Sequence, residues 1–458
     1  MITPCLDPDF VPAAVWNRNF REKVAADSKA EDFEIALTRP DGVTFRHSAR
    51  ILEPTESNAA LNQKYVERLL KFLLWAKGGS RVLISGNTDL TRFLASEYSE
   101  NGTRKFDWKT LGENVFGEAI SVTSVNESDL PEENLATTSQ GKNLDGCRIG
   151  FDLGGSDRKY AAVIDGEVVF SEEVAWDPYF QSDPDYHYKG IVDSLAKAAA
   201  YLPKVDAIGG SAAGIYINNE VRLASLFRGV TDPAVFQKRV QPMFTDIVAE
   251  HYPGVPFEIA NDGDVTALAG AMSLNTNGVL GIAMGTAEAV GYVNTSGQVT
   301  PQLNELAFAP VDYRENGPAD EWSGDSGCGV QFFSQQGVAR LTDKAGFKFG
   351  DMPFPEQLIE VQNAMNDGHE GARNIYDTLG VCFGYSIAHY AKFYDINTLI
   401  IMGRVTSGSG GDLLMDRAKE VLTAEYPELA EKITFTIPDE KMKRHGQAIA
   451  AASLPTLA

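Results

Sequence analysis

Cysteine, histidine and positive charge are all scarce in this chain, and each shortage argues against a class of function. The 458 residues hold four cysteines, Cys5, Cys147, Cys328 and Cys382, with no Cys-x-x-Cys pair among them. That spacing speaks against a disulfide framework and a structural zinc site, and for small buried or half-buried thiols. Six histidines are scattered and form no metal constellation. Forty basic residues stand against 63 acidic ones, a net charge of −23. Such a chain repels nucleic acid phosphates and anionic lipid at long range, so DNA binding by the chain as a whole is disfavoured. No apolar run approaches the roughly 18 residues that span a bilayer. Residues 1–15 lack the basic and apolar regions of a signal peptide, and a cytoplasmic location is expected.

What remains is the composition of an ordinary globular protein, 43% apolar and 22% charged. At roughly 150 residues per domain, the length predicts about three domains. Residues 1–145 are expected to form a first, accessory α/β domain with 17 basic and 22 acidic residues. Within it, the stretch 62–76 places Tyr65, Leu69, Phe72 and Leu73 on one helical face, and Gly78-Gly79 stops the helix. Residues 81–85 read as a buried strand, followed by a turn and a helix from about Asp89. The polar run 126–142 has few large apolar residues and reads as a linker, with the boundary at about 126–145.

Beyond the boundary a strand–turn–strand pattern occurs twice. Residues 148–152 and 160–165 read as strands, an Asp-Gly turn leads to a third at 166–170, and a helix at about 189–201 precedes the strand at Ala207. Residues 279–284 and 289–293 repeat the opening, and a long helix at about 372–394 leads to a buried strand at 398–402. Two such halves, 146–275 and 276–458, predict a duplicated α/β core with a cleft between its lobes.

Four segments carry candidate chemistry. In Asp152-Leu-Gly154-Gly155-Ser156 a strand delivers a carboxylate just before two glycines and a hydroxyl, a pattern that lets backbone N–H groups approach an anion and an oxygen ligand reach Mg²⁺. A plain β-turn explains the same residues. Asn261-Asp262-Gly263-Asp264 sets carboxylates at the start of a small-residue helix, where a simple N-cap is the alternative. Gly285-Thr286 ends a strand with a glycine–hydroxyl pair, and Gly403 opens a glycine-rich loop after a buried strand, which a flexible turn would also explain.

Taken in order, these segments resemble the actin-like ATPase fold of sugar kinases and Hsp70-type proteins, and within it most closely the ROK family of sugar kinases and sugar-responsive repressors, over about residues 147–453. The resemblance implies an α/β, two-lobed, ribonuclease H-like core with an extra N-terminal domain, its C-terminal helix returning to the first lobe. It further implies ATP and Mg²⁺ as cofactors, a sugar as partner, and a homodimer as a compatible assembly. Carried over by residue, Asp262 is the catalytic base, Asn261, Glu305 and Gly214 contact the sugar, and Asp152 places Mg²⁺ through water. Gly154, Gly155, Ser156, Gly285 and Thr286 cradle phosphates, and Gly403 begins the adenosine motif. The chain departs from the family in Phe308, where a histidine is usual, and in 322–329, which replaces a cysteine-rich zinc motif, so that no zinc is expected. It also departs in Arg404, and in Glu288, which brings an acid close to the second phosphate motif. These departures keep a second reading open, a non-catalytic sugar or nucleotide sensor. A repressor is disfavoured by a slightly acidic first domain without a basic recognition helix.

Overall fold

The computed structural model describes residues 1–135, 141–437 and 446–457. Of the run expected as a linker, residues 136–140 lie outside the described residues. Three sheets organise the chain. The first contains β1 (Glu31–Thr38), β2 (Thr44–Ile51), β3 (Arg81–Ser85) and β4 (Ser121–Ser124) in the order β2-β1-β3-β4, with only β3 and β4 parallel. The second contains β5 (Cys147–Leu153), β6 (Asp157–Ile164), β7 (Glu167–Ala175), β8 (Ala207–Ala212) and, beyond the small hairpin β9 (Ile215–Ile217) and β10 (Glu220–Leu223), β11 (Phe257–Asn261). Its order is β11-β8-β5-β6-β7, an antiparallel meander extended by two parallel strands. The third contains β12 (Val279–Met284), β13 (Glu288–Val293), β14 (Thr398–Met402) and β15 (Thr434–Thr436) in the order β13-β12-β14-β15.

Local chemistry explains these elements. Every residue of β5 is buried, as a central strand covered on both faces requires. The β6–β7 hairpin turns at Asp165 (φ 47°) and Gly166 (φ 84°), the positive pair of a tight hairpin turn. At the sheet edge, β7 stays soluble by exposing Glu167, Glu172 and Glu173. The helix Gln447–Ala452 lies on β5 and β8 at very close range. A Cβ on Gly150 would sit 1.8 Å from Ala448 O, and one on Gly209 1.7 Å from Ala451 O, so the glycines and the alanine-rich helix require one another.

The N-terminal sheet does not stand apart. One continuous apolar core includes Phe20, Phe33, Leu70, Phe72 and Trp75 together with Leu280, Phe332, Phe383 and Tyr390 of the second lobe. The first lobe keeps a separate core around Phe151, Phe227 and Phe244. Three of the cysteines are buried, while Cys5, expected buried or half-buried, is exposed because the terminal loop lies over the surface. Among the described residues no helix is long and apolar enough to cross a membrane.

Candidate active site at the carboxyl ends of the parallel strands

Strands β5, β8 and β11 run parallel and in register, with Asp152 beside Ser211 and Ala212 beside Asn261. Their carboxyl ends converge where ligands bind in open α/β sheets. Asn261 closes β11, and its Oδ1 accepts the Gly263 N–H at 2.7 Å, capping the helix Asp262–Ser273. Its Nδ2 donates to Gly214 O at 2.8 Å and pins the β8–β9 turn. Because Asn261 is the cap, Asp262 enters the first helical turn. Gly263 then passes so near β13 that a Cβ on Gly291 would lie 2.0 Å from Gly263 O. This contact joins the two sheets and sets Asp262 at their seam.

The electrostatics centre on Asp262. Burial raises its carboxyl above the usual range. Burial also pushes Asp152 up to about 6, against a 2.6 Å hydrogen bond from Ser211 Oγ, and the Asp262 charge adds to the rise. Glu305 is pushed up to about 7 by burial and then by Asp262. Asp264 also rises to about 7, although its Oδ1 accepts from Tyr292 N at 3.0 Å and Asn304 Nδ2 at 2.8 Å. Tyr216 is held above its usual value by burial and by Asp262 and Asp152. The structure therefore gathers Asp152, Asn261, Asp262, Glu305 and Gly214 in one place. Asp264, Asn304 and Tyr216 belong to the same group and were given no role from the sequence, although Asp264 stands in the Asn-Asp-Gly-Asp segment as its second carboxylate.

Two turns offer unpaired amides. In the β5–β6 turn, Gly154 N donates to Asp157 O at 2.9 Å, and among the described residues the amides of Gly155 and Ser156 make no hydrogen bond. Trp176 Nε1 donates to Gly154 O at 2.7 Å. A Cβ on Gly155 would lie 2.1 Å from the Tyr179 hydroxyl, and the Arg228 guanidinium covers the Tyr179 ring at 3.7 Å. Gly155 is thus already required by Tyr179. In the β12–β13 turn, Gly285 N donates to Ala287 O at 3.0 Å and Gln335 N to Gly285 O at 2.9 Å, which leaves the exposed amides of Thr286 and Ala287 without partners among the described residues. Gly403 has φ 102°, and its Cβ position lies 2.4 Å from Met284 O, so the ends of β12 and β14 abut. Consecutive free amides in a turn form an anion cradle.

Glu288 corrects an expectation. Its side chain turns inward, 3% exposed, with Oε1 accepting from Tyr390 OH at 3.4 Å and Oε2 beside Gly329. Burial pushes its carboxyl up to about 8, so it is largely neutral near pH 7 and presents no charge to the turn before it. Phe308 stacks on Trp75 at 4.3 Å while Glu305 N donates to Trp75 O at 3.0 Å. The helix Glu56–Ala76 therefore clasps the segment bearing Glu305. In 322–329, Asp325 is held by Lys71 at 2.5 Å and by Arg104.

No family model and no curated protein matches the sequence. Solved structures do match. A ROK hexokinase from Thermus thermophilus superposes with a TM-score of 0.52 at 17% identity, over 67% of this chain and 96% of that one. A ROK-family transcriptional regulator, a homologue of the E. coli MLC protein, superposes with a TM-score of 0.50 at 17% identity, over 68% of this chain and 79% of that one. The chain has the ROK fold. That fold comprises an enzyme and a regulator, so what the chain does is argued from its site. In this chain an N-terminal sheet shares its core with the second lobe.

Proposed function

We propose that the chain transfers the γ-phosphoryl group of ATP to a sugar hydroxyl. The observation that carries this reading is the meeting of Asp152 and Asp262 at the carboxyl ends of β5 and β11, two interacting carboxylates with raised pKa values, with the free amides of Gly155 and Ser156 in the turn that follows Asp152. Asp262, raised by burial, is suited to accept the hydroxyl proton as it leaves. Asn261 and Glu305 would orient neighbouring hydroxyls, and Gly214 shapes the wall they share. The amides of Gly155, Ser156, Thr286 and Ala287 would receive phosphate oxygens, with Gly403 giving the nucleotide close access to the end of β14. A magnesium ion fits the all-oxygen donor set at Asp152, since this cation is held by one or two carboxylates plus phosphates, and when bound it would neutralise phosphate charge. The solved hexokinase and its fold lend support to the reaction class.

Replacing Asp262 by Asn removes the base at almost constant volume. We expect kcat for sugar-dependent ADP release to fall by about 10² to 10⁴-fold with a much smaller change in KM. Turnover within threefold of wild type would remove Asp262 from this role. A second reading, a binding protein without turnover, draws on the Tyr179–Arg228 stack, which covers one side of the Gly155 turn. Calorimetric binding of sugar and ATP with no ADP release across a sugar panel would favour it.

A further inference from the structure

A cavity of about 380 Å³ opens beside Asn261, and its wall comes from three parts of the chain. The first lobe supplies Gly214, Tyr216 and Asn261, the second lobe supplies residues 299–303, and the β1–β2 turn contributes Arg39 and Asp41. Arg39 is the unusual member. It is 4% exposed, makes no ion pair among the described residues, donates one N–H to Lys77 O at 2.5 Å, and leaves Nε without a partner. The rings of Phe45 and Phe116 lie 5.4 Å from its guanidinium carbon. Burial lowers its pKa to about 10, which still leaves it charged at neutral pH.

A buried cation without a direct ion-pair partner is costly, and a planar guanidinium is the side chain best suited to recognise a carboxylate. No acid on the same wall forms an ion pair with it, although the Asp41 charge works against the effect of burial. Asp41 is exposed and its Oδ1 is taken by Val43 N at 3.1 Å. Asp264 is committed to Tyr292 and Asn304 and is half neutral near pH 7. Glu258, with Asn261, lines the cavity from β11, the first-lobe side. The cavity thus has hydroxyl acceptors at one end and, at the other, a buried cation with no ion-pair partner among the described residues.

We propose that this cavity binds a sugar bearing a carboxylate, a uronic or aldonic acid, with Arg39 taking the carboxylate and the hydroxyls turned toward Asn261. The proposal rests on the reading above in placing the acceptor at Asn261, and it gives the N-terminal sheet a part in choosing the substrate. Calorimetry on the full chain without nucleotide tests it, using glucuronate and gluconate against glucose, with glucose 6-phosphate to separate carboxylate from phosphate recognition. The expected result is at least tenfold tighter binding of either acid than of glucose, falling to within twofold in Arg39→Gln. Equal or tighter binding of glucose, tighter binding of glucose 6-phosphate than of both acids, no binding of either acid, or a preference that survives in Arg39→Gln would overturn it. If Arg39→Gln does not fold, Arg39→Met is the second variant, and the wild-type ranking needs neither. Binding of the acids without ADP release in the presence of ATP would sink the kinase reading and leave this one standing. ADP release with neutral sugars alone would do the reverse.

Discussion

Glu288 follows a glycine–hydroxyl pair in sequence, yet its carboxyl ends inside the second lobe between Gly329 and Tyr390. The order of residues revealed the turn but not the direction of the side chain, in a strand buried along its length except for the half-buried Ala289. The consequence is a pH dependence of known sign. Its ordinary value is 4.5 and its folded value about 8, so between these pH values the folded state holds a proton that the unfolded state has lost. Stability must therefore fall as pH rises through that window. Glu288→Gln is expected to flatten this fall and to be more stable than wild type at pH 8 by about 1–4 kcal/mol, one pKa unit being worth about 1.4 kcal/mol. ATP affinity should stay within twofold. Denaturant titrations at pH 5 and pH 8 give the first quantity and calorimetry the second; an unchanged pH slope would show that Glu288 does not hold its proton.

At the scale of elements, the sequence was most legible where a buried run is bounded by turns. The expected strands 81–85, 279–284 and 398–402 coincide with β3, β12 and β14, because each is a short apolar stretch with turn residues close by. The helix ending at Ala76 was legible as a helix but not in its surroundings. One apolar face was expected, whereas Glu67, Arg68 and Lys71 on its other sides are buried too, Arg68 pairing with its neighbour Glu67 while Glu67 and Lys71 also pair with residues far away in sequence. The resemblance implied a C-terminal helix returning to the first lobe, but its contacts with Gly150 and Gly209 were hidden, since a glycine in a strand does not name its neighbour. A methyl group at Gly150 would meet the backbone of Ala448 and the Cβ of Ala452, neither of which can swing aside. Gly150→Ala should cost about 1–3 kcal/mol, the usual range for overpacking, or more if the helix is expelled. Gly285→Ala, whose Cβ meets nothing nearer than Ala287 O at 3.7 Å, is the control and should unfold at the wild-type midpoint. Equal urea midpoints for Gly150→Ala and wild type would mean that the helix does not sit on β5.

At the scale of the whole molecule, the N-terminal sheet and the second lobe behave as one body if the contacts between them are as costly to break as the structure implies. Lys71 is fully buried, with its Nζ 2.8 Å from Asp107 and 2.5 Å from Asp325, and Trp75 Nε1 donates to Asp107 at 2.9 Å. Arg104 bridges Asp325 and Glu67, and Arg68 also pairs with Glu67. Apolar packing continues around this network on both sides. Removing one partner of a buried ion pair strands the other charge in a medium of low dielectric constant, so Lys71→Met should cost about 3–5 kcal/mol. The loss should not be local. Because Asp325 belongs to the second lobe and Asp107 to the N-terminal part, both should lose hydrogen-exchange protection together, while the first lobe, with its separate core, keeps its own. Deleting residues 1–130 goes further, since it uncovers the apolar surface that Phe72 and Trp75 fill and leaves Asp325 without Lys71 and Arg104. That truncated chain is expected to aggregate or to lose its second-lobe transition in calorimetry. A soluble truncated chain with a second-lobe transition at the wild-type temperature would instead make the N-terminal sheet a detachable domain.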